Sequence, residues 1–106
     1  MRKVTFIIDD KQYFRNDLKC QNPQLTENQI DYIVSDIISF KAVLTLYGEG
    51  KSINRYELTD ENENQMKIND LNGYQKGVII NECYAYFEGN NSEQPCGVIK
   101  IIDEEV

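Results

Sequence analysis

The chain contains no histidine and no tryptophan, and it has only two prolines among its 106 residues. The absence of histidine removes the commonest general base, the commonest metal ligand in proteins and every Ser-His or Cys-His nucleophile pair. Neither the GxxxxGKS/T pattern of a phosphate-binding loop nor the GxGxxG pattern of a dinucleotide site is present. We therefore expect a protein that is not an enzyme and that holds no cofactor and no metal.

Cysteine is scarce as well, and long apolar runs are missing near the start of the chain. The stretch from Val4 to Ile8 is too short for a signal-peptide core or a membrane span. The three cysteines, Cys20, Cys83 and Cys96, are odd in number and lack CxxC spacing, which is typical of a reducing compartment. We expect a cytoplasmic protein of a bacterial host cell, with no membrane partner. Spacing alone leaves contact between Cys83 and Cys96 open.

Negative charge dominates the composition: 18 acidic side chains stand against 11 basic ones, which gives a net charge of -7. Binding to a phosphate backbone draws its energy from clustered Lys and Arg, so no direct contact with nucleic acid is expected. An acidic domain is instead attracted to basic surfaces, and nucleic-acid-binding clefts are among the most basic surfaces in a cell. A plainer interpretation is that the charge serves solubility alone.

The length and the mix of patterns predict one α+β domain over residues 1–106. One principal amphipathic helix is expected to pack on a sheet of about six to seven mostly antiparallel strands. The expected strands are runs rich in β-branched and aromatic residues, at 3–9, 12–17, 42–47, 53–58, 66–68, 78–87 and 97–103. The first two would form an opening hairpin, and residues 78–87 would form a central strand.

The predicted helix covers about residues 26–41. Thr26 precedes Gln29 by three residues, which is the spacing of a capping box, and Leu25 and Ile30 occupy the positions of a hydrophobic staple. An apolar stripe then follows at spacings of three and four, made of Ile30, Ile33, Val34, Ile37 and Ile38. Such a stripe is typical of a helix that packs on a sheet.

A polar, acidic segment at residues 59–65 is expected to be an exposed loop of the kind that often carries binding residues. The residues predicted to contact a partner in this central region are Asp60, Glu61 and Glu63 of the loop and Asp70 after it. Asp60, Asn62 and Asn64 also match the first three ligand positions of an EF-hand calcium loop. The match then fails, because Gln65 stands where glycine is needed and Leu71 stands where the bidentate Glu is needed.

Seven tyrosines against four phenylalanines is a bias that favours interface chemistry. If residues 78–87 form a strand, then Tyr84 and Tyr86 share one face, and Glu82 and Glu88 extend that face at both ends. We predict that these four side chains contact a partner together with the acidic loop. The rival interpretation is that another loop covers this face, with Cys83, Ala85 and Phe87 on the core side.

The acidic, histidine-free composition, with Asn, Ile and Lys usage typical of an AT-rich genome, is similar in profile to phage-encoded inhibitors, including anti-CRISPR proteins. The similarity is one of composition, and no motif is matched. It implies a small acidic binding protein from a phage or mobile element that imitates DNA. Its partner would be the basic nucleic-acid-binding surface of a host enzyme such as a CRISPR effector nuclease.

Two other functions are consistent with the sequence. The first alternative is a structural or assembly module that homodimerises through an exposed strand edge, such as the last strand at residues 97–103. The second is a small carboxylate enzyme, which requires a concave pocket with two convergent acids of unequal pKa.

Overall fold

Four strands form one antiparallel sheet in the computed structural model, which describes residues 1–37, 39–95 and 97–106, with the side chain of Tyr74 outside the description. The strands are β1 (Arg2–Asp9), β2 (Lys41–Glu49), β3 (Ser52–Asp60) and β4 (Val98–Glu105). Their order across the sheet is β3-β2-β1-β4, so β1 and β2 are central. The two edges of the sheet are therefore β3 and β4.

The helices enter the chain in two places. α1 (Lys11–Gln21) and α2 (Glu27–Val34) lie between β1 and β2. The third helix, α3, comprises residues 73–87 and follows a short 3-10 turn at Ile68–Asp70. Its consecutive parts are α-helical Gly73–Gly77, π-helical Val78–Cys83 and α-helical Tyr84–Phe87. In the described part of the chain, none of these helices is long and apolar enough to cross a membrane.

The predicted number of strands is wrong. The chain is α+β, but it has four strands and three helices rather than six to seven strands with one principal helix. The predicted hairpin of β2 and β3 is confirmed, and so is the last strand, β4. Residues 12–17 and 78–87, both predicted as strands, are helical.

The segment 78–87 is helical because its buried side chains recur every four residues. Ile79, Cys83 and Phe87 are each 0% exposed, and this spacing places them on one face of a helix. A short run rich in apolar residues is consistent with either a strand or a buried helix. The predicted strand assigned this run a period of two, whereas its buried residues follow the period of a helix.

The segment 12–17 does not form the predicted hairpin with β1. Both edges of β1 are already paired, one with β2 and the other with β4. α1 instead packs against α2, and the guanidinium of Arg15 bonds to Glu27 at 2.9 Å and to Asp31. We call α1 and α2 together the helical insertion, because they interrupt what is otherwise a β1–β2 hairpin.

α2 begins as predicted but is shorter and packs elsewhere. The capping box is confirmed: Gln29 N–H donates to Thr26 Oγ1, and the Gln29 side chain accepts from Thr26 N–H. The helix ends at Val34 instead of about residue 41, and it packs against α1 rather than across the sheet. Of the predicted stripe, Ile30 and Val34 are buried while Ile33 is exposed. Ile38 lies outside the described residues.

The core lies on one face of the sheet, beneath α3. Alternate residues of β1 are buried there, as expected for a strand with one face covered. The buried cluster comprises Val4, Phe6, Ile8, Ala42, Leu44, Leu46, Leu58, Leu71, Ile79, Cys83, Phe87 and Val98. Gly48 permits this packing, because a Cβ there would lie 1.8 Å from Ser52 O and 3.0 Å from the Phe87 ring.

Arg2 connects three parts of the chain at one end of this core. Its guanidinium donates to both carboxylate oxygens of Asp103 in β4, at 3.1 and 2.8 Å. It also donates to the carbonyl of Phe87 at the end of α3 and to the carbonyl of Gly50 in the β2–β3 turn. A cation at a helix C-terminus is favourable, and the Asp103 hydrogen bonds raise the pKa of Arg2.

Asp10 closes the base of the helical insertion. Its Oδ1 accepts the N–H of Phe40 at 2.7 Å, and its own N–H donates to the Phe40 carbonyl at 3.2 Å. The insertion leaves the sheet at Asp10 and returns to it at Phe40, so these two bonds hold its ends together. Asp10 is only 6% exposed, and burial raises its pKa.

This buried carboxylate gives a test of the closure. Asp10→Ala leaves the Phe40 N–H without its partner, and we expect the free energy of unfolding to fall by about 1–3 kcal/mol. Asp10→Asn keeps an acceptor without the buried charge, so it should be at least as stable as the wild type at pH 7. Urea unfolding followed by circular dichroism measures both changes.

The pH dependence has a definite sign. The folded-state pKa of Asp10 is raised above its ordinary value of 3.8, so the wild type loses stability as pH rises through the folded pKa. The advantage of Asp10→Asn should therefore disappear near pH 3, where Asp10 is protonated in both states. If Asp10→Asn lowered the free energy of unfolding at pH 7 as much as Asp10→Ala does, the proposed role of the buried carboxylate would be wrong.

Candidate functional site

The predicted acidic loop is an ordered turn. Residues 60–64, which we call the acidic turn, begin at the last residue of β3 and reverse the chain, so that Thr59 and Gln65 on either side form an antiparallel bridge. The Asp60 N–H donates to the Asn64 carbonyl at 2.9 Å, and the Glu63 N–H donates to the Asp60 carbonyl at 3.2 Å. Glu63 has a φ of +65°, the left-handed conformation that such a tight turn requires.

Asp60 is the structural centre of this turn and not a free carboxylate. Its Oδ1 accepts the backbone N–H groups of Asn62 at 2.8 Å and Asn64 at 2.9 Å, and its Oδ2 accepts from Asn64 Nδ2 at 3.2 Å. These hydrogen bonds, that of Asn64 first, lower the pKa of Asp60. They also explain the spacing that resembles a calcium loop, since Asp and Asn stabilise turns in this way.

The other two acids of the turn point to solvent. Glu61 and Glu63 are exposed, and the nearest cation to Glu61 is Lys41, whose Nζ lies 3.8 Å from Glu61 Oε2. No group of three or more His, Cys, Asp or Glu side chains that would hold a metal ion occurs among the described residues. The turn therefore presents carboxylates to solvent without gathering them around one point.

The predicted face of Glu82, Tyr84, Tyr86 and Glu88 does not exist, because these residues belong to a helix and its cap. In a helix, residues four apart lie together, so Tyr84 and Glu88 are on one flank of the buried stripe and Glu82 and Tyr86 are on the other. The ring of Tyr86 packs edge-on against Phe6 in β1, with centroids 5.7 Å apart. Tyr86 therefore contributes to the core rather than to a free surface.

Tyr84 and Glu88 line a groove of about 710 Å³ between α3 and β3. The opposite wall belongs to β3 and the residue before it, and includes Lys51, Arg55 and Tyr56. Burial raises the pKa of Tyr84, and the neighbouring Tyr56 adds to the effect. The hydroxyl of Tyr84 thus stays protonated and can donate a hydrogen bond within the groove.

A second depression, of about 290 Å³, continues along β3 toward the acidic turn. Asp70 lines it together with Met66 and Lys67, and Tyr56 borders both depressions. Glu57 lines it as well, but its carboxylate accepts from Arg55 at 2.9 Å and from the Tyr47 hydroxyl at 3.3 Å. These hydrogen bonds, that of Arg55 first, lower the pKa of Glu57, so it remains ionised and paired.

The two depressions and the acidic turn form one elongated surface, which we call the β3 strip. Its members include the acids Glu61, Glu63, Asp70 and Glu88 and the tyrosines Tyr56 and Tyr84, and Lys51, Arg55, Glu57 and Lys67 line it as well. Five of the eight predicted partner-binding residues therefore lie along β3, while Asp60 is structural and Glu82 and Tyr86 lie on the other flank of α3. Sequence analysis missed Tyr56, although alternation from Leu58 within the predicted strand 53–58 places it on the same face.

Cys83 belongs to the core, where burial raises the pKa of its thiol to about 12. The sequence leaves a contact with Cys96 open on the supposition that two strands pair there, and Cys83 lies instead in α3. Cys96 itself lies outside the described residues. Cys20, at the end of α1, is exposed.

Comparisons with known proteins add no family or relative to this description. No protein-family model matches the chain, no curated protein matches its sequence and no solved structure matches its fold.

The contrast between the two thiols is testable by alkylation. At pH 8 a thiol with a pKa near 12 is ionised in only about one molecule in ten thousand, and Cys83 is also shielded by packing. We expect iodoacetamide to label Cys20 in the folded protein and to spare Cys83, as read by peptide mass spectrometry. The same reaction in urea is the control and should label both. Labelling of Cys83 at the rate of Cys20 without urea would contradict its burial.

Proposed function

We propose that the chain is a small acidic binding protein and that the β3 strip is its contact surface for a basic protein partner. The observation that supports this most is the distribution of carboxylates along β3. Glu61 and Glu63 lie beyond one end of the strand and Glu88 lies near the other, with Asp70 between them. Nine residues of strand span roughly 30 Å, which is the length of a standard protein contact surface.

The charge balance of the molecule favours the same surface. Several cations are paired within the chain: Arg2 with Asp103 and Arg15 with Glu27 outside the strip, and Arg55 with Glu57 along it. Among the other carboxylates of the strip, Glu61 lies 3.8 Å from Lys41, while Glu63, Asp70 and Glu88 form no ion pair with a described residue. With a net charge of -7, the remaining carboxylates attract a basic surface over a Debye length of about 8–10 Å.

The tyrosines of the strip supply short-range contacts. Tyr56 is 38% exposed and Tyr84 is half-buried, and both side chains line the groove. Tyrosine is enriched at binding hot spots, and an aromatic face attracts the guanidinium of an arginine. Carboxylates that flank two tyrosines therefore suit a partner surface rich in arginine.

We propose as the partner a nucleic-acid-binding enzyme of the host, such as a CRISPR effector nuclease. Its binding channel is lined by Lys and Arg that ordinarily meet phosphates. A row of carboxylates that occupies this channel competes with the nucleic acid, and such competition is the action of an inhibitor from a phage or mobile element. In this proposal the β3 strip contacts the partner enzyme directly, and the chain itself binds no nucleic acid.

Charge reversal in the acidic turn tests the proposal. The variant is Glu61→Lys with Glu63→Lys, and the matched control is Asp17→Lys with Glu93→Lys, exposed acids in α1 and before β4. Both variants change the net charge equally. Each protein is immobilised, exposed to a lysate of a bacterium with an AT-rich genome that expresses its defence nucleases, and eluted with a salt gradient.

The wild type and the control should retain a nucleic-acid enzyme that elutes at elevated salt, and the turn variant should lose roughly tenfold or more in affinity for it. The wild type and the control should also inhibit DNA binding by the purified enzyme, and the turn variant should not. Equal capture by the turn variant, or capture of no stoichiometric partner by any of the three, would overturn the proposal.

A further inference from the structure

The two edges of the sheet differ in how far the chain itself covers them. On the β3 edge, the Met66 N–H donates to the Leu58 carbonyl at 2.8 Å, and the Asp60 N–H donates to the Asn64 carbonyl. The turn after β3 thus occupies part of that edge. On β4, no hydrogen bond from outside the sheet reaches the outer edge of residues 101–105, as far as the described residues go.

The hydrogen-bonding pattern determines which backbone groups of β4 are free. Val106 and Met1 exchange both backbone hydrogen bonds, at 2.8 and 3.1 Å. Because an antiparallel ladder alternates, Ile102 and the residues two away from it direct their backbone groups toward β1. The N–H and C=O groups of Ile101, Asp103 and Glu105 then point outward, where another strand can pair with them.

The side chains beside this edge are self-complementary, in that one copy of β4 matches a second, antiparallel copy. Register with Ile7, Thr5 and Lys3 of β1 places Lys100, Ile102 and Glu104 on the face of the sheet opposite α3. All three are exposed, and they read basic, apolar, acidic along the strand. Reversed, the same order reads acidic, apolar, basic, so an antiparallel copy of β4 is its complement.

We propose that β4 pairs antiparallel with β4 of a second copy of this chain, with a two-fold axis at Ile102. This register brings the outward backbone groups of Ile101 opposite those of Asp103 in the second copy, and the reverse, which makes hydrogen-bonded pairs. Ile102 faces Ile102 across the axis, where side chains approach most closely. Lys100 faces Glu104 of the second copy on both sides of the axis.

Neighbouring registers that keep the same hydrogen bonding are less favourable. A shift by one position of the axis toward the C-terminus places Asp103 opposite Asp103, and like charges directly opposite are destabilising. A shift toward the N-terminus places Lys100 opposite Ile102 and removes both ion pairs. Lysine in an edge strand ordinarily discourages pairing, so Lys100 admits only a strand that offers it an acid.

Charge exchange at Lys100 and Glu104 tests this register. Lys100→Glu and Glu104→Lys each replace two attractive pairs with two like-charge pairs, and each should raise the dimer dissociation constant roughly tenfold or more. The double variant Lys100→Glu with Glu104→Lys restores both pairs and should return the constant to within about threefold of the wild type. Sedimentation velocity over a range of protein concentrations measures all four proteins.

Lys67→Glu is the matched control, because it changes the net charge as Lys100→Glu does but is an exposed residue beside the other edge of the sheet. Glu104 also faces Lys3 within the chain, so circular dichroism and thermal unfolding must show that each variant is folded. A wild type that stays monomeric at several hundred micromolar overturns the proposal. A dimer dissociation constant that stays the same in both single variants also overturns it, and so does a double variant whose constant does not return to near the wild-type value.

Discussion

A four-stranded sheet has two faces, and only one of them is covered by a helix in this chain. α3 lays Ile79, Cys83 and Phe87 onto the face that carries Phe6 and its buried neighbours. Residues on the opposite face are half-buried or exposed, apart from Thr45. A single helix is also narrower than four strands, so it leaves depressions along β3. The sheet ends at β4, whose outer backbone edge is unpaired among the described residues. The candidate contact surfaces follow from this one-sided cover.

Two charged side chains hold this arrangement at its opposite ends. Arg2 connects β4, the end of α3 and the β2–β3 turn, so the helix ends against the strand that forms the free edge. Asp10 joins the two ends of the helical insertion. The whole molecule measures 45 × 29 × 23 Å. The insertion is stabilised by its own contacts, including the bonds of Arg15 to α2, and its described residues line neither depression of the β3 strip. Gln12 and Asn16 of α1 border the start of β4 at Val98 and Ile99.

The sequence predicts those parts of the fold whose signals are local. The capping box at Thr26, the β2–β3 hairpin and the last strand depend on nearby residues, and all three are present. The end of α2 and the conformation of residues 78–87 depend on tertiary contacts, such as the Asp10–Phe40 bonds and the core beneath α3. The predicted tyrosine face failed with the strand that it assumed, whereas the exposed acids after β3 were predictable from their polarity.

Hydrogen–deuterium exchange on the protein, free and bound to its captured partner, determines whether the β3 strip is the contact surface. Exchange should slow in residues 52–70 and 84–88 on binding and stay unchanged in the helical insertion. Protection confined to the insertion, where Tyr32 is 81% and Ile33 is 43% exposed, would contradict it and would assign binding to that part of the molecule.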